Sequence, residues 1–405
     1  MNFFSLINTL PNLEKNRNFN VFKNYSLRDF EEIVKECGLF LERGPTDYDP
    51  VRISVVGTNG KGSVSHFLSD FAIQNSSFDR TGLFTSPHLI RPTERIKING
   101  EEILEKELDR LLNCFSFEKI SLLMRCSYFE LFTIFAFLHF REKNCSLEIY
   151  EAGLGGRLDS TKTAEAEFIV LTVIDLDHTE ILGNSRESIL SEKLKIAGTK
   201  TRKIFAMRQE HKDLNLQIES FCSKNKIPLQ FFRERKKSEG YIIYNKEFSW
   251  FILSSLAKGK GINFPENKKE NIFANTDPPS GRMEILSNDP PLIYDTAHNA
   301  GAVKCLLESL TPVFPDHRIT AIFGCLKDKD ISGIGNILGQ SKRVEKIFQI
   351  TDMEFSQESI DPEKIIRIQS GEIDRIISEE KNNLILIFGS FRIYLMIKDK
   401  LKTYN

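Results

Sequence analysis

Short apolar runs alternate with amphipathic stretches along the whole chain. The run Val51–Val56 (VRISVV) reads as a buried strand that enters a glycine-rich turn, and SVSHFLSDFAIQ supplies the helix after it. YFELFTIFAFLHFREK is long enough for a helix, whereas CSLEIYEAGLGG is a strand that stops at glycines. EFIVLTVIDLDH is a further strand ending in an acidic, histidine-bearing turn, followed by the helix SRESILSEKLKIAG. TRKIFAM and PLQFFRER flank a helix containing DLNLQIESFCSK, and FSWFILSSLAK is the last helix before a polar, Pro- and Gly-bearing stretch.

That stretch carries the expected domain boundary, near residues 260–281, giving domains 1–275 and 276–405. Beyond it PPLIYD, RITAIFG, VEKIFQI and NLILIFG alternate with the helical segments GAVKCLLESL and IDRIISEEK. Near-continuous apolar runs alternating with helices predict a second α/β domain with a mainly parallel sheet. Ahead of the first strand, DFEEIVKECGLFL has the spacing of an amphipathic helix. At 405 residues two domains are the natural reading.

Charge narrows the function classes. Lys plus Arg total 55 against 56 Asp plus Glu, a balance that gives no broad basic surface for nucleic acid. The longest apolar stretch, Leu131 to Phe140, is too short to cross a bilayer, and Glu14 and Lys15 interrupt the apolar N-terminus before it resembles a secretory leader. Seven cysteines without a CxxC pair suit scattered reduced thiols in a cytoplasmic protein and offer no cysteine metal site. No coiled coil is evident, so a monomer is expected.

The sharpest chemical signal is Gly57-Thr58-Asn59-Gly60-Lys61-Gly62-Ser63, set between a strand and a helix. Three glycines permit a close turn whose amides face phosphate oxygens, Lys61 adds positive charge, and Ser63 offers a hydroxyl to phosphate-bound Mg2+. Gly62 separates Lys61 from Ser63, so this is not the ordinary Walker A spacing. Glu151 ends a strand before Gly153, Gly155 and Gly156, where a carboxylate suits a hard cation; read alone it is equally a solvent-facing acid. His178 is a metal ligand or a hydrogen-bonded turn histidine, and Lys193 read alone is an exposed helix lysine. Arg282 is a phosphate contact or a strand-edge ion pair.

These segments resemble the folylpolyglutamate synthase and dihydrofolate synthase family, a branch of the Mur-ligase superfamily. The resemblance rests on VVGTNGKGSV, LFTSPHL, ERIKING, EAGLGGRLD, DHTEILG and Glu192-Lys193, and continues with SGRMEIL, DTAHNAGA, FGCLKDKD and FGS. It implies a two-domain Mur-ligase-like α/β architecture, with an N-terminal P-loop ATPase domain and a smaller C-terminal Rossmann-like domain. It also implies ATP and Mg2+ as cofactors, with L-glutamate and a reduced folate or dihydropteroate as substrates, joined through an acyl phosphate.

By the same resemblance Gly57 to Ser63, Arg282, Asp295 and His298 contact the nucleotide. Ser63 and Glu151 hold one metal, while His178 and a carbamylated Lys193 hold a second. Ser86 and His88 lie on a folate-facing loop that Glu94 and Arg95 lock, by an ion pair with each other. Asn299 caps a helix. The chain departs from the family at Leu194-Lys195, at Pro92-Thr93, at Ser160-Thr161-Lys162, at Thr296 and Ala300, and at Phe248, where an adenine-holding asparagine is common. The alternatives are a ligase for a different carboxylate and a nucleotide sensor that has lost ligation.

Overall fold

A computed structural model describes residues 2–12, 26–38, 48–261, 264–352, 355–358 and 365–401. The chain forms two compact units. The first comprises residues 1–175, 179–234 and 246–276; the second takes 277–405 together with Leu176–His178 and Arg235–Asn245.

The first unit is built on an eight-stranded sheet of order β4-β3-β2-β5-β1-β6-β7-β8. Its strands are β1 Val51–Val56, β2 Thr81–Phe84, β3 Ile96–Ile98, β4 Glu101–Glu102, β5 Leu147–Glu151, β6 Phe168–Leu171, β7 Lys203–Met207 and β8 Leu229–Phe232. The six longer strands run parallel, and β3 and β4 add an antiparallel edge. Parallel sheets are covered on both faces, which is why β1, β2 and β5 are buried at every position.

Helix Tyr128–Glu142 shows how sequence selects its element. Ser127 accepts a hydrogen bond from the Glu130 amide while Glu130 accepts from the Ser127 amide, a reciprocal cap that satisfies two otherwise orphaned donors. Its FELFTIFAF run then buries nearly all round, joining Phe3, Phe30, Phe84 and Tyr150 in one apolar cluster. A separate cluster takes Val56 and Leu171 from the sheet with Leu190, Leu194, Leu214 and Ile218 from helices Arg186–Leu194 and Lys212–Asn225.

From β1 the chain crosses over β5 to reach β2, and from β5 it crosses over β1 to reach β6. The topology therefore reverses around β1, and the carboxyl ends of β1, β5 and β6 open onto one crevice, the place where such sheets bind ligands. Register sets the details: Val55 pairs with Glu151 and Val56 with Leu171, so the turn after β1 starts beside Glu151.

The second unit has a six-stranded sheet of order β13-β12-β11-β14-β10-β9. It is formed by β9 Glu284–Asn288, β10 Pro291–Asp295, β11 Ile319–Phe323, β12 Val344–Ile350, β13 Ile365–Ile368 and β14 Leu384–Phe388. All neighbours are parallel except β9 and β10. Strands β11 and β14 are completely buried, and helices Ala300–Leu310 and Ile331–Gln340 complete the core. No helix among the described residues is long and apolar enough to cross a membrane.

Candidate functional site

In the first unit the turn after β1 is held by its own strand neighbours. A Cβ at Gly57 would lie 1.9 Å from Thr172 Oγ1, so only glycine fits there. The Thr58 and Asn59 amides both donate to the Val173 carbonyl, at 2.8 and 3.2 Å, and Thr58 Oγ1 donates to the Asp175 carbonyl at 3.1 Å. Those two residues therefore anchor the turn through amides pointed at Val173. Gly60 then adopts φ +90° as the N-cap of helix Lys61–Gln74.

Donors aimed outward begin at that helix end. The first-turn amides of an α-helix lack intrahelical partners and carry the positive end of its dipole. Lys61 Nζ folds back to the Thr58 carbonyl at 3.2 Å. Ser63 is buried, and its Oγ has no hydrogen-bond partner among the described residues. A hydroxyl left so is costly unless a ligand completes it.

Glu151 is also buried, and its Oε2 accepts from the Ser86 amide at 3.1 Å. A Cβ on Gly62 would sit 3.4 and 3.5 Å from the two Glu151 oxygens, so the carboxylate lies against the residue preceding Ser63. An orphaned hydroxyl and a buried carboxylate on adjacent turns form a hard-oxygen pair, which fits Mg2+. Among the described residues no three His, Cys, Asp or Glu side chains gather as a metal cluster, so any cation here also draws ligands from substrate or solvent.

Lys193, read from the sequence as exposed, is instead buried, and its Nζ donates to the Gly57 carbonyl at 2.8 Å. A Cβ on Gly156 would be 2.5 Å from the Lys193 carbonyl, so GLGG packs directly on this helix. Lys195 pairs with Glu192 at 2.7 Å. Buried Gln209, which the sequence did not single out, accepts from the Ile174 amide and donates to the Thr172 and Met207 carbonyls. It steadies the strand end that holds the Gly57 turn.

On the Ser86–His88 loop the Glu94 carboxylate accepts from the Leu89, Ile90 and Arg91 amides at 2.8, 3.0 and 2.7 Å. Arg95 is fully buried over the rings of Tyr128 and Phe132, and its Nε donates to His88 Nδ1 at 2.9 Å. Glu94 thus shapes the loop through its backbone and Arg95 fixes the His88 ring. Phe248 is wholly buried among Phe232 and Phe251, a core position.

The second unit groups the remaining candidates. Arg282 lies with its guanidinium carbon 5.4 Å from the centre of the Phe391 ring, a cation–π contact. Asp295, at the end of β10, accepts from the Met283 and Ala297 amides and from the Tyr241 hydroxyl. Burial, then the charge of and hydrogen bond to Asp295, push the Tyr241 phenol far above its ordinary range. Asn299 caps helix Ala300–Leu310 by accepting from the Ala302 amide at 2.9 Å.

His298 bridges the Thr296 carbonyl, at 2.9 Å from Nδ1, and the Asp177 carboxylate, at 3.2 Å from Nε2. Asp177 also takes a hydrogen bond from Lys329 Nζ at 2.6 Å. Burial opposes its charge, but the His298 hydrogen bond and the surrounding cations outweigh that and hold its carboxyl well below the usual range. His178 follows with φ +50°. Lys329 and Asp177 were not singled out from the sequence, where they lie far apart.

Comparison with known proteins adds the family. Residues 281–391 match the Mur ligase, glutamate ligase domain. The chain is 30% identical over 380 residues to the dihydrofolate synthase/folylpolyglutamate synthase of Buchnera aphidicola from Schizaphis graminum, covering 86% of this chain and 88% of that one. This chain belongs to the dihydrofolate synthase/folylpolyglutamate synthase family. The corresponding Bacillus subtilis protein is 30% identical over 397 residues, covering 86% of this chain and 90% of its own.

Among solved structures, E. coli FolC in complex with DHPP and ADP matches with a TM-score of 0.76 at 24% identity, over 94% of each chain. The Yersinia pestis bifunctional enzyme complexed with AMPPNP and Mn ion gives 0.75 at 24% identity, also over 94% of each. These likenesses bear out the two-unit α/β architecture expected of the family.

Proposed function

We propose that this protein is an ATP-dependent folylpolyglutamate synthase that adds L-glutamate to a reduced folate, and that the same site also joins L-glutamate to dihydropteroate. One observation carries the reading: a buried, unpartnered Ser63 hydroxyl and a buried Glu151 carboxylate flank a helix N-terminus at the sheet's switch point. Relatives spanning most of the chain bear both activities in their names.

The substrate carboxylate attacks the terminal phosphate of ATP, giving an acyl phosphate and ADP. The amine of L-glutamate then adds to the acyl carbon, and collapse of the tetrahedral adduct expels phosphate and leaves an amide. The first-turn amides and Lys61 bind the phosphates. Ser63 and Glu151 would hold Mg2+, and His178 and a carbamylated Lys193 would be candidate ligands for a second ion. When bound, these ions neutralise charge on the transferred phosphoryl group. Arg282 stabilises the same charge through its guanidinium, and Asp295 and His298 order the nucleotide-facing turn after β10.

The experiment offers purified protein ATP, Mg2+ and L-glutamate with either dihydropteroate or a reduced folate, and identifies products by mass. A glutamylated folate is expected. ATP binding without either product rejects the folate assignment and favours a ligase for another carboxylate, or a sensor.

A further inference from the structure

In the second unit Arg282 is a half-buried cation with no carboxylate partner among the described residues. Its Nη1 approaches the neighbouring Gly281 carbonyl at 3.4 Å, and its guanidinium carbon lies 5.4 Å from the centre of the Phe391 ring. The acids of the same turn are occupied elsewhere. Glu284 accepts from the Gly281 amide and from the Tyr394 hydroxyl, each at 2.7 Å, and Asp295 accepts from the Met283 and Ala297 amides and the Tyr241 hydroxyl.

Both partners in the ring contact stand on anchored backbone. The Arg282 amide donates to the Pro279 carbonyl at 3.2 Å, and the Gly281 carbonyl accepts from the Thr296 amide at 3.0 Å. On the far side of Arg282 the Met283 amide donates to Asp295 at 2.8 Å, so the peptide groups before and after the arginine are both tied. The Ser390 carbonyl, in the peptide that enters Phe391, accepts from the buried Tyr294 hydroxyl at 2.7 Å. Tyr394 lies one turn further along helix Phe391–Leu401, and its bond to Glu284 ties that helix to the Arg282 turn.

An aromatic face and a carboxylate leave a guanidinium in different states. A carboxylate neutralises the charge and takes up the planar fork of N–H donors, whereas a ring attracts the cation through its quadrupole and leaves the fork open. We propose that Phe391 is a positioning residue for the ligation reaction, holding the Arg282 guanidinium against its ring with the N–H fork open to phosphate oxygens. The inference rests on the reading of Arg282 as a phosphate contact, and it gives Phe391 no contact with substrate. Ordering the arginine beforehand spares the rotamer freedom that a loose side chain would lose on binding.

The test measures two quantities on the whole protein: calorimetric affinity for a non-hydrolysable ATP analogue with Mg2+, and kcat/KM for ATP in ligation. Phe391→Leu keeps an apolar side chain without the ring and should lower both by roughly 2–30-fold, the range a cation–π contact spans. Phe391→Tyr keeps the ring and should stay within about twofold of wild type. Circular dichroism melts establish which variants are folded, with Phe391→Met as a second ringless variant. The double variant decides: Phe391→Leu added to Arg282→Met should lower neither quantity further, since the ring acts only through the guanidinium.

A folded Phe391→Leu or Phe391→Met with both quantities unchanged, in a protein that Arg282→Met weakens, overturns the inference alone. So does a loss of full size when Arg282 is already Met, which would make Phe391 a packing residue of its helix. Arg282→Met without effect on either quantity overturns this inference together with the phosphate role given to Arg282. Affinity is read even where the wild type forms no glutamylated product, so the folate assignment can fail by itself.

Discussion

Gly57→Ala perturbs the turn proposed to cradle phosphate, and its cost can be worked from the packing. The added Cβ would meet Thr172 Oγ1 at 1.9 Å, Thr172 Cβ at 3.1 Å and the Thr172 amide nitrogen at 3.2 Å, against an ordinary contact of 3.4 Å or more. Rotating the threonine side chain relieves the first clash; the amide nitrogen stays put, because it donates to the Val56 carbonyl at 2.9 Å. Overpacking of this kind costs about 1–3 kcal/mol. The backbone at φ +153° adds a strain of about 1–3 kcal/mol for a residue carrying a side chain.

The loss expected in the first unit is therefore about 2–6 kcal/mol, a large share of a typical domain's stability. Its single tryptophan, Trp250, is buried in that unit, so fluorescence-detected urea unfolding reports on it directly. The double variant Gly57→Ala/Thr172→Ala removes the closest clash and should regain about 1 kcal/mol or more over Gly57→Ala, leaving the strain. A Gly57→Ala protein within about 0.5 kcal/mol of wild type would refute the packing argument. A double variant no more stable than the single would show that Thr172 is not the obstacle.

Ser63→Ala removes an unpartnered buried hydroxyl, so stability should hold or rise slightly while ATP-dependent turnover falls by roughly 10–100-fold; a destabilised but fully active variant contradicts the assignment. Glu148 is fully buried and accepts from Arg52 Nε, the Tyr48 hydroxyl and the Tyr150 hydroxyl. Glu148→Ala strands the Arg52 charge and should cost about 3–5 kcal/mol by urea unfolding, with a loss under about 1 kcal/mol as the contrary result. Burial, then the charge of Lys143, lowers the His139 imidazole to about 4 from its ordinary 6.5. Below about pH 6.5 the unfolded chain takes a proton that the folded chain refuses, so stability should fall from there to about pH 4. The advantage of wild type over His139→Leu should shrink across that window in urea midpoints; a constant difference would be the contrary result.

Much of this architecture was legible because buried parallel strands write themselves as unbroken apolar runs. VRISVV, RITAIFG and NLILIFG are such runs, and each is a strand. Strand β13 escaped notice because it lies at a sheet edge, where half-exposed positions blur the pattern. The Gly57–Ser63 turn was legible as glycine spacing, since close backbone approach tolerates little else. Which of its amides point outward was not, because Thr58 and Asn59 are committed to Val173, a partner more than a hundred residues away.

Long-range partners also explain the other surprises. Lys193 carries no sequence mark of burial, yet the Gly57 carbonyl takes its ammonium. Asp177 looks like an ordinary turn acid until Lys329 and His298 are placed beside it. Asn299, by contrast, was readable as a cap because capping is local, reaching only to Ala302.

The proposed acyl activation is tested most directly by isotope transfer. Dihydropteroate or a reduced folate labelled with 18O in the reacting carboxylate is turned over with ATP, Mg2+ and L-glutamate, and the released phosphate is analysed by mass. An acyl phosphate leaves one 18O in each phosphate released, matched to amide formed. Unlabelled phosphate beside glutamylated product would contradict the account.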